Sequence, residues 1–183
     1  FFGLLKQLAD GGLVEEQQIQ NISEVSSLTH RHPRSILACI FLCKFAIQYL
    51  ATKEIPTAFA YTQKEIKYLL TQEKFKNECS HFDRLVNLTY EQFRNIAEND
   101  IKSTGYVIDT LEASLWSVFN HDSFKDSVLC AVNLGYDADT VGAITGALAG
   151  IIYGHDSIPE EWLNVLARKE DIIELANKLD SVN

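Results

Sequence analysis

The chain has no methionine, three prolines and two tryptophans among its 183 residues. Its four cysteines, Cys39, Cys43, Cys79 and Cys130, form no Cys-x-x-Cys pair, which argues against a metal or disulfide role. Cys39 and Cys43 stand one helical turn apart in an apolar segment and are expected to be core thiols. Basic residues are the minority: 16 Lys and Arg against 25 Asp and Glu give a net charge of −9. With no basic stripe to neutralise phosphates, nucleic acid is not an expected partner. No run of eighteen apolar residues occurs, so no membrane span is expected. The absence of methionine, with an opening Phe1-Phe2-Gly3-Leu4-Leu5 that reads as mid-helix, leads to the expectation of the C-terminal part of a longer protein. A missing signal peptide therefore carries no weight. Reduced thiols and the acidic balance favour a cytoplasmic setting.

What is present is ordinary in amount and informative in order. An apolar content of 46% is that of a soluble globular protein. At this length one domain over residues 1–183 is expected, burying about 70% of its unfolded surface. The periodicity reads helical nearly throughout. Pro33 sits where a helix starts, with Ser35 to Ala51 as its apolar body. Further helices are expected over Ala58 to Leu70, from Thr89 by the capping-box spacing Thr89-Tyr90-Glu91-Gln92, and over Val107 to Phe119, with Leu111, Leu115 and Val118 on one face. Ser123 opens another through Val132, ended by Gly135, and Pro159 starts one more before a last helix over Glu170 to Leu179.

The densest chemistry lies in Asn133-Leu134-Gly135-Tyr136-Asp137-Ala138-Asp139-Thr140, directly before the small-residue helix Val141 to Gly150. Asp137, Asp139 and Thr140 put three oxygen donors at i, i+2 and i+3, a ligand type that suits a hard cation such as Mg²⁺ or Mn²⁺. The plainer alternative is an Asp N-cap on an ordinary helix. Gly142, Gly146 and Gly150 share one helix face and together cost roughly 3 kcal/mol of helix propensity relative to Ala. Close packing of a central buried helix is the expected compensation.

Asp137 to Gly154 resembles the C-terminal signature of the ADP-ribosylglycohydrolase family. Ser26-Ser27-Leu28-Thr29-His30-Arg31-His32 is similar to that family's Thr-His segment, and Gly105-Tyr106-Val107 followed by Thr110-Leu111-Glu112-Ala113 to its Gly-Tyr-Val…Thr-Leu-Glu-Ala helix start. Pro159-Glu160-Glu161-Trp162 fits the same order. The resemblance implies a compact, orthogonal all-α domain of the ADP-ribosylglycohydrolase type, here lacking its N-terminal helices. It implies metal-dependent hydrolysis of the glycosidic bond between ADP-ribose and a modified acceptor, most simply a protein side chain. It assigns Asp137, Asp139 and Thr140 to a binuclear Mg²⁺ or Mn²⁺ centre, with Asp137 and Asp139 catalytic, His30 near the ribose and diphosphate, and Gly105 and Tyr106 at the adenine.

Two departures narrow the implication. The family's N-terminal Thr-Asp-Asp run is missing, so the chain would hold only the C-terminal half of the site and be inactive alone. Ala138 stands where the family commonly has Thr. A non-catalytic ADP-ribose-binding or crystallin-like structural member is the alternative, and a homodimer covering exposed helix faces is a further expectation. For Tyr106 a core-packing role stays open, and for His30 a plain polar residue near a helix start. His30 and His32 lack a further soft ligand for a transition metal. Asp109 and Glu112 are expected to be solvated or capping charges, His81, His121 and His155 surface residues without partners, and Trp116 and Trp162 core or interface anchors.

Overall fold

The computed structural model describes residues 15–181; the opening Phe1 to Leu5 lies outside them. Ten α-helices and three short 3₁₀ turns make up the described residues, among which there is no strand. The helices are α1 (Glu15–Ser27), α2 (Pro33–Thr52), α3 (Ile55–Leu70), α4 (Asp83–Asn87), α5 (Tyr90–Arg94), α6 (Val107–Phe119), α7 (Phe124–Asn133), α8 (Ala138–Tyr153), α9 (Glu160–Val165) and α10 (Lys169–Ser181). The all-α expectation holds. Helix α1 has no counterpart in the periodicity reading: it is polar overall and buries only Gln18, Ile22 and Ser23 among its residues of described burial.

Local chemistry sets the boundaries. Pro33 occupies the first turn of α2, where a missing N–H removes nothing, and the His32 side chain accepts from the Arg34 amide as its cap. Lys53 ends α2 in the left-handed region at φ 58°. Thr89 and Gln92 form the reciprocal capping box at α5, and Ser123 caps α7 through the Asp126 amide.

Helix α2 is the spine, packed between α1 and α3 and touching α6 and α8. It is 20 residues long and an 18-residue window of it has a mean hydropathy of 1.7, so by length and composition alone it could cross a membrane. Here it is a core helix instead. Leu37, Ile40, Phe41 and Phe45 are fully buried, and the buried Lys44 ammonium lies 3.2 Å from Glu65 of α3. The core is aromatic at its centre: Phe119 at the end of α6 lies 5.6 Å from Phe45, 5.2 Å from Phe59, 5.8 Å from Phe93 and 5.1 Å from Tyr90, ring to ring. Rings tilted or edge-on at these separations add about 0.5–1.5 kcal/mol per pair beyond burial. Trp116 is a core anchor as expected, donating its indole N–H to the Ile96 carbonyl, and Trp162 packs against Phe124.

Helix α8 packs against α7 and α6, but not as the glycine stripe implied. A Cβ on Gly142 would lie 2.9 Å from Val132 of α7, so that contact requires glycine. On Gly146 it would meet Val128 at an ordinary 3.9 Å, and on Gly150 nothing within 4 Å. Close packing is therefore confined to the first turns of α8, and the helix is buried on one side only, through Val141, Thr145, Leu148 and Ala149.

One charge expected to be solvated or capping is buried and paired instead. Glu112 is 6% exposed, and its carboxylate accepts from the Arg84 guanidinium at 3.1 Å. Burial raises its pKa above the usual carboxylate value, with Arg84 opposing. Of the two expected core thiols, Cys43 is buried, its thiol pushed up to about 12 by burial and by Cys39, and Cys39 is half-buried; Cys79 is exposed.

Candidate functional site

Three loops, each leading into a helix, meet at one cavity of about 480 Å³. From residues 26–35 come Ser26, Thr29, His30, His32, Arg34 and Ser35; from the start of α6 come Gly105, Tyr106, Val107 and Thr110; from the start of α8 come Thr140 and Ile144. Cys39 of α2 completes the lining. The three segments singled out in the sequence lie up to 114 positions apart, from Ser26 to Thr140, and the fold brings them together. The cavity lining carries Arg34, His30 and His32 and no carboxylate, in a chain of net charge −9. It also receives three helix N-termini, whose unpaired amides and dipoles favour negative charge.

The α8 start is built by tight loop geometry. Gly135 at φ 80° and Tyr136 at φ 51° both take the left-handed conformation, reversing the chain after α7. Ser103, buried, donates to the carbonyls of Leu134 or Gly135 and accepts the Asp137 amide at its own carbonyl, 3.0 Å away. This ties the loop before α6 to the loop before α8. Asp137 sits at the N-cap position, yet its carboxylate caps no backbone amide. Instead Thr140 Oγ1 donates to Asp137 Oδ1 at 2.9 Å. The simple N-cap reading is thus not what this side chain does. The other carboxylate oxygen lies against the α6 loop: a Cβ on Gly105 would be 3.0 Å from Asp137 Oδ2, so glycine is what lets the two loops close. Asp139 points outward, exposed and unpaired among the described residues.

This donor set matches a hard cation in kind. Oxygens on adjacent positions of an octahedral Mg²⁺ shell, each about 2.1 Å from the ion, lie about 3.0 Å apart. The Thr140 hydroxyl and Asp137 carboxylate are 2.9 Å apart, the length of the hydrogen bond between them, which such a shell would accommodate. In number the set is short of six oxygens, and among the described residues no group of three or more His, Cys, Asp or Glu could hold a metal. Of the three expected ligands, only Asp137 and Thr140 are in contact.

At the other rim, Tyr106 is 37% exposed at the cavity mouth, so the core-packing alternative falls. Its ring lies under the Arg34 guanidinium, 5.7 Å from centre to carbon, and its hydroxyl is 3.1 Å from His81 Nδ1. His81 therefore has a partner that its sequence context does not reveal. Arg34 Nε in turn donates to Glu78 Oε2 at 2.7 Å. Burial works against the Arg34 charge, but Glu78 and Tyr106 hold its pKa above the ordinary value. His30 is exposed, with Nδ1 3.0 Å from Thr29 Oγ1, and its other nitrogen faces no described partner. His32 is occupied as the α2 cap, which removes Nδ1 from any metal role while Arg34 holds it. Asp109 accepts from Thr104 at 2.6 Å and stabilises the α6 start. Arg34, Glu78 and His81 are what sequence reasoning missed; none lies in a recognisable motif, and only their contact with Tyr106 marks them.

The domain is thus all-helical, with the Asp137–Thr140 oxygen pair beside a cavity at three converging helix starts. The chain belongs to the ADP-ribosylglycohydrolase family, whose sequence profile matches residues 3–183. It is similar to ADP-ribosylarginine hydrolase Tri1 of Serratia proteamaculans, with 37% identity over 155 residues, covering 84% of this chain and 38% of that protein. It is also similar to the ADP-ribosyl-[dinitrogen reductase] glycohydrolase of Rhodospirillum rubrum, 30% identical over 142 residues, covering 78% of this chain and 41% of that one. Human ADP-ribosylhydrolase ARH3 is 36% identical over 66 residues, 36% of this chain and 18% of its own. The chain thus spans about two-fifths of the length of the first two relatives.

Proposed function

We propose that the protein containing this chain hydrolyses the glycosidic bond between ADP-ribose and a modified protein side chain, with Mg²⁺ or Mn²⁺ as cofactor and arginine as the acceptor class. The observation that carries this reading is the convergence of the Thr-His and Gly-Tyr-Val segments with Thr140 on one cavity, Asp137 being bonded to Thr140 at 2.9 Å. Relatives named for ADP-ribosylarginine and ADP-ribosyl-dinitrogen reductase support the chemistry and the protein acceptor.

Each residue then has a task its position allows. Tyr106 offers an aromatic face at the mouth for the adenine. The helix starts and His30 receive the diphosphate and the adjoining ribose, His30 donating from its unengaged nitrogen. Asp137 and Thr140, which touch, would together with Asp139 hold the cations. When bound, the ions supply a grip on the ribose hydroxyls and acidify water. In this reading Asp139 would take a proton from water as the water oxygen bonds to the anomeric carbon, and that proton would pass to the guanidine nitrogen as the C–N bond breaks. The free thiols support a cytoplasmic setting for this reaction.

The test is manganese-dependent release of ADP-ribose from an ADP-ribosylated arginine substrate by the full-length protein. Asp137→Ala and Asp139→Ala are each expected to lower turnover on the order of a hundred-fold or more. Undiminished turnover in both variants would overturn the assignment. A wild-type protein that binds ADP-ribose and releases none would instead favour a binding member of the family.

A further inference from the structure

Resting on the reading that Tyr106 receives the adenine, we propose that Arg34 is a positioning residue that acts through Tyr106, and that the Lys76–His81 turn, by holding Arg34 with Glu78 and Tyr106 with His81, sets how tightly the base is gripped.

The geometry suits Arg34 to this role. A tyrosine on an exposed loop-to-helix junction has two rotatable side-chain bonds, and a ring that swings stacks weakly because ordering it is charged against binding. Here the ring is fixed at two points. Its face lies against the Arg34 guanidinium at 5.7 Å, and its hydroxyl meets His81 Nδ1 at 3.1 Å. Both supports come from one short turn: Glu78, buried, takes Arg34 Nε at 2.7 Å, and His81 is three residues on. The turn is itself anchored by Phe75, which is buried, and by the Phe82 amide on the Cys79 carbonyl. Arg34 has its Nε committed to Glu78 and its planar face to Tyr106, so the group is used as a brace. A lysine could satisfy neither contact with the same geometry.

The test is a double-mutant cycle on ADP-ribose affinity in the full-length protein, read by calorimetry, with ribose 5-phosphate as a probe that has no base. Tyr106→Ala is expected to weaken ADP-ribose roughly five- to a hundred-fold, the range of base–aromatic stacking. Arg34→Met, which keeps the stem and removes the guanidinium, is expected to weaken it roughly two- to five-fold, the scale of an exposed cation–π contact. Glu78→Gln should move it the same way, and neither change should add to the loss in a Tyr106→Ala background or alter ribose 5-phosphate binding. In turnover, both variants should raise KM and leave kcat unchanged. Arg34→Met weakening ADP-ribose equally with and without Tyr106 would overturn the proposal, since Arg34 would then touch the ligand directly. Arg34→Met and Glu78→Gln without effect, beside a damaging Tyr106→Ala, would also overturn it and leave the adenine reading standing. An innocuous Tyr106→Ala would remove both.

Discussion

The two ends of helix α6 do opposite work. At its C-terminal end Phe119 is 3% exposed and sits among Phe45, Phe59, Phe93 and Tyr90. At its N-terminal end Gly105 and Tyr106 open onto a cavity shared with the starts of α2 and α8. One end is apolar, drawn from several helices and closed to water; the other is polar and made by three loops. The same rigid rod connects them, so the loop end inherits its position from the core end. A site on helix starts is held to fractions of an ångström only if the helices themselves cannot move.

That division predicts a clean separation of effects. Phe119→Ala removes a buried ring with four aromatic neighbours and should cost about 3–5 kcal/mol in urea unfolding. Tyr106→Ala should cost under about 1 kcal/mol while reducing ligand affinity, because its ring is partly open to solvent. Equal losses of stability from the two would mean that the cavity mouth is part of the core and the division is false.

Glu112 tests the middle of the same helix. Its carboxylate is buried and raised in pKa, Arg84 notwithstanding, so the folded state holds a proton more tightly than the unfolded chain. Between the ordinary carboxylate value and the raised one, the folded state binds more protons than the unfolded, and stability falls as pH rises through that window. Above it the loss is complete, and below it the contribution is fully present. Glu112→Gln, which keeps an oxygen for Arg84, should flatten this fall in thermal unfolding followed from acid towards neutral pH. A variant whose pH profile overlays the wild type would mean that Arg84 fully offsets the burial.

Much of this is legible in the sequence, for identifiable reasons. Residues 107–119 read correctly as a helix because apolar side chains recur at its own period, and Leu111, Leu115 and Val118 are all buried as that period demands. Pro33, Thr89 and Ser123 mark helix starts because capping is a local contest between side chain and backbone. The cavity residues His30, Gly105, Tyr106 and Thr140 belong to recognisable motifs, and the fold brings all four to one place. Illegible are the contacts that depend on where a polar chain ends up: Glu112 reads as solvated, His81 as unpartnered, and Arg34 and Glu78 carry no pattern. Helix α1 escapes notice because its stripe of buried side chains is short and mostly polar. Charges are read poorly from sequence because their burial is decided by partners arriving from elsewhere, such as Arg84, 28 positions from Glu112.

Helix α8 repeats the contrast on a smaller scale, and its glycines sharpen it. Read as a pattern, Gly142, Gly146 and Gly150 are equivalent, yet only Gly142 meets a neighbour closer than ordinary contact, Val132 at 2.9 Å from an added Cβ. Gly142→Ala should therefore force α7 and α8 apart, at roughly 1–3 kcal/mol for overpacking, against about 1 kcal/mol gained in helix propensity. Gly150→Ala meets nothing within 4 Å and should keep the whole gain, raising stability by up to about 1 kcal/mol. Opposite signs in urea unfolding would show that close packing is concentrated two residues beyond Thr140, directly behind the oxygen donors. Stabilisation by both would show that Val132 yields, and that the α8 start is held by its loop, through the Ser103–Asp137 bond and Gly105, and not by the α7 seam.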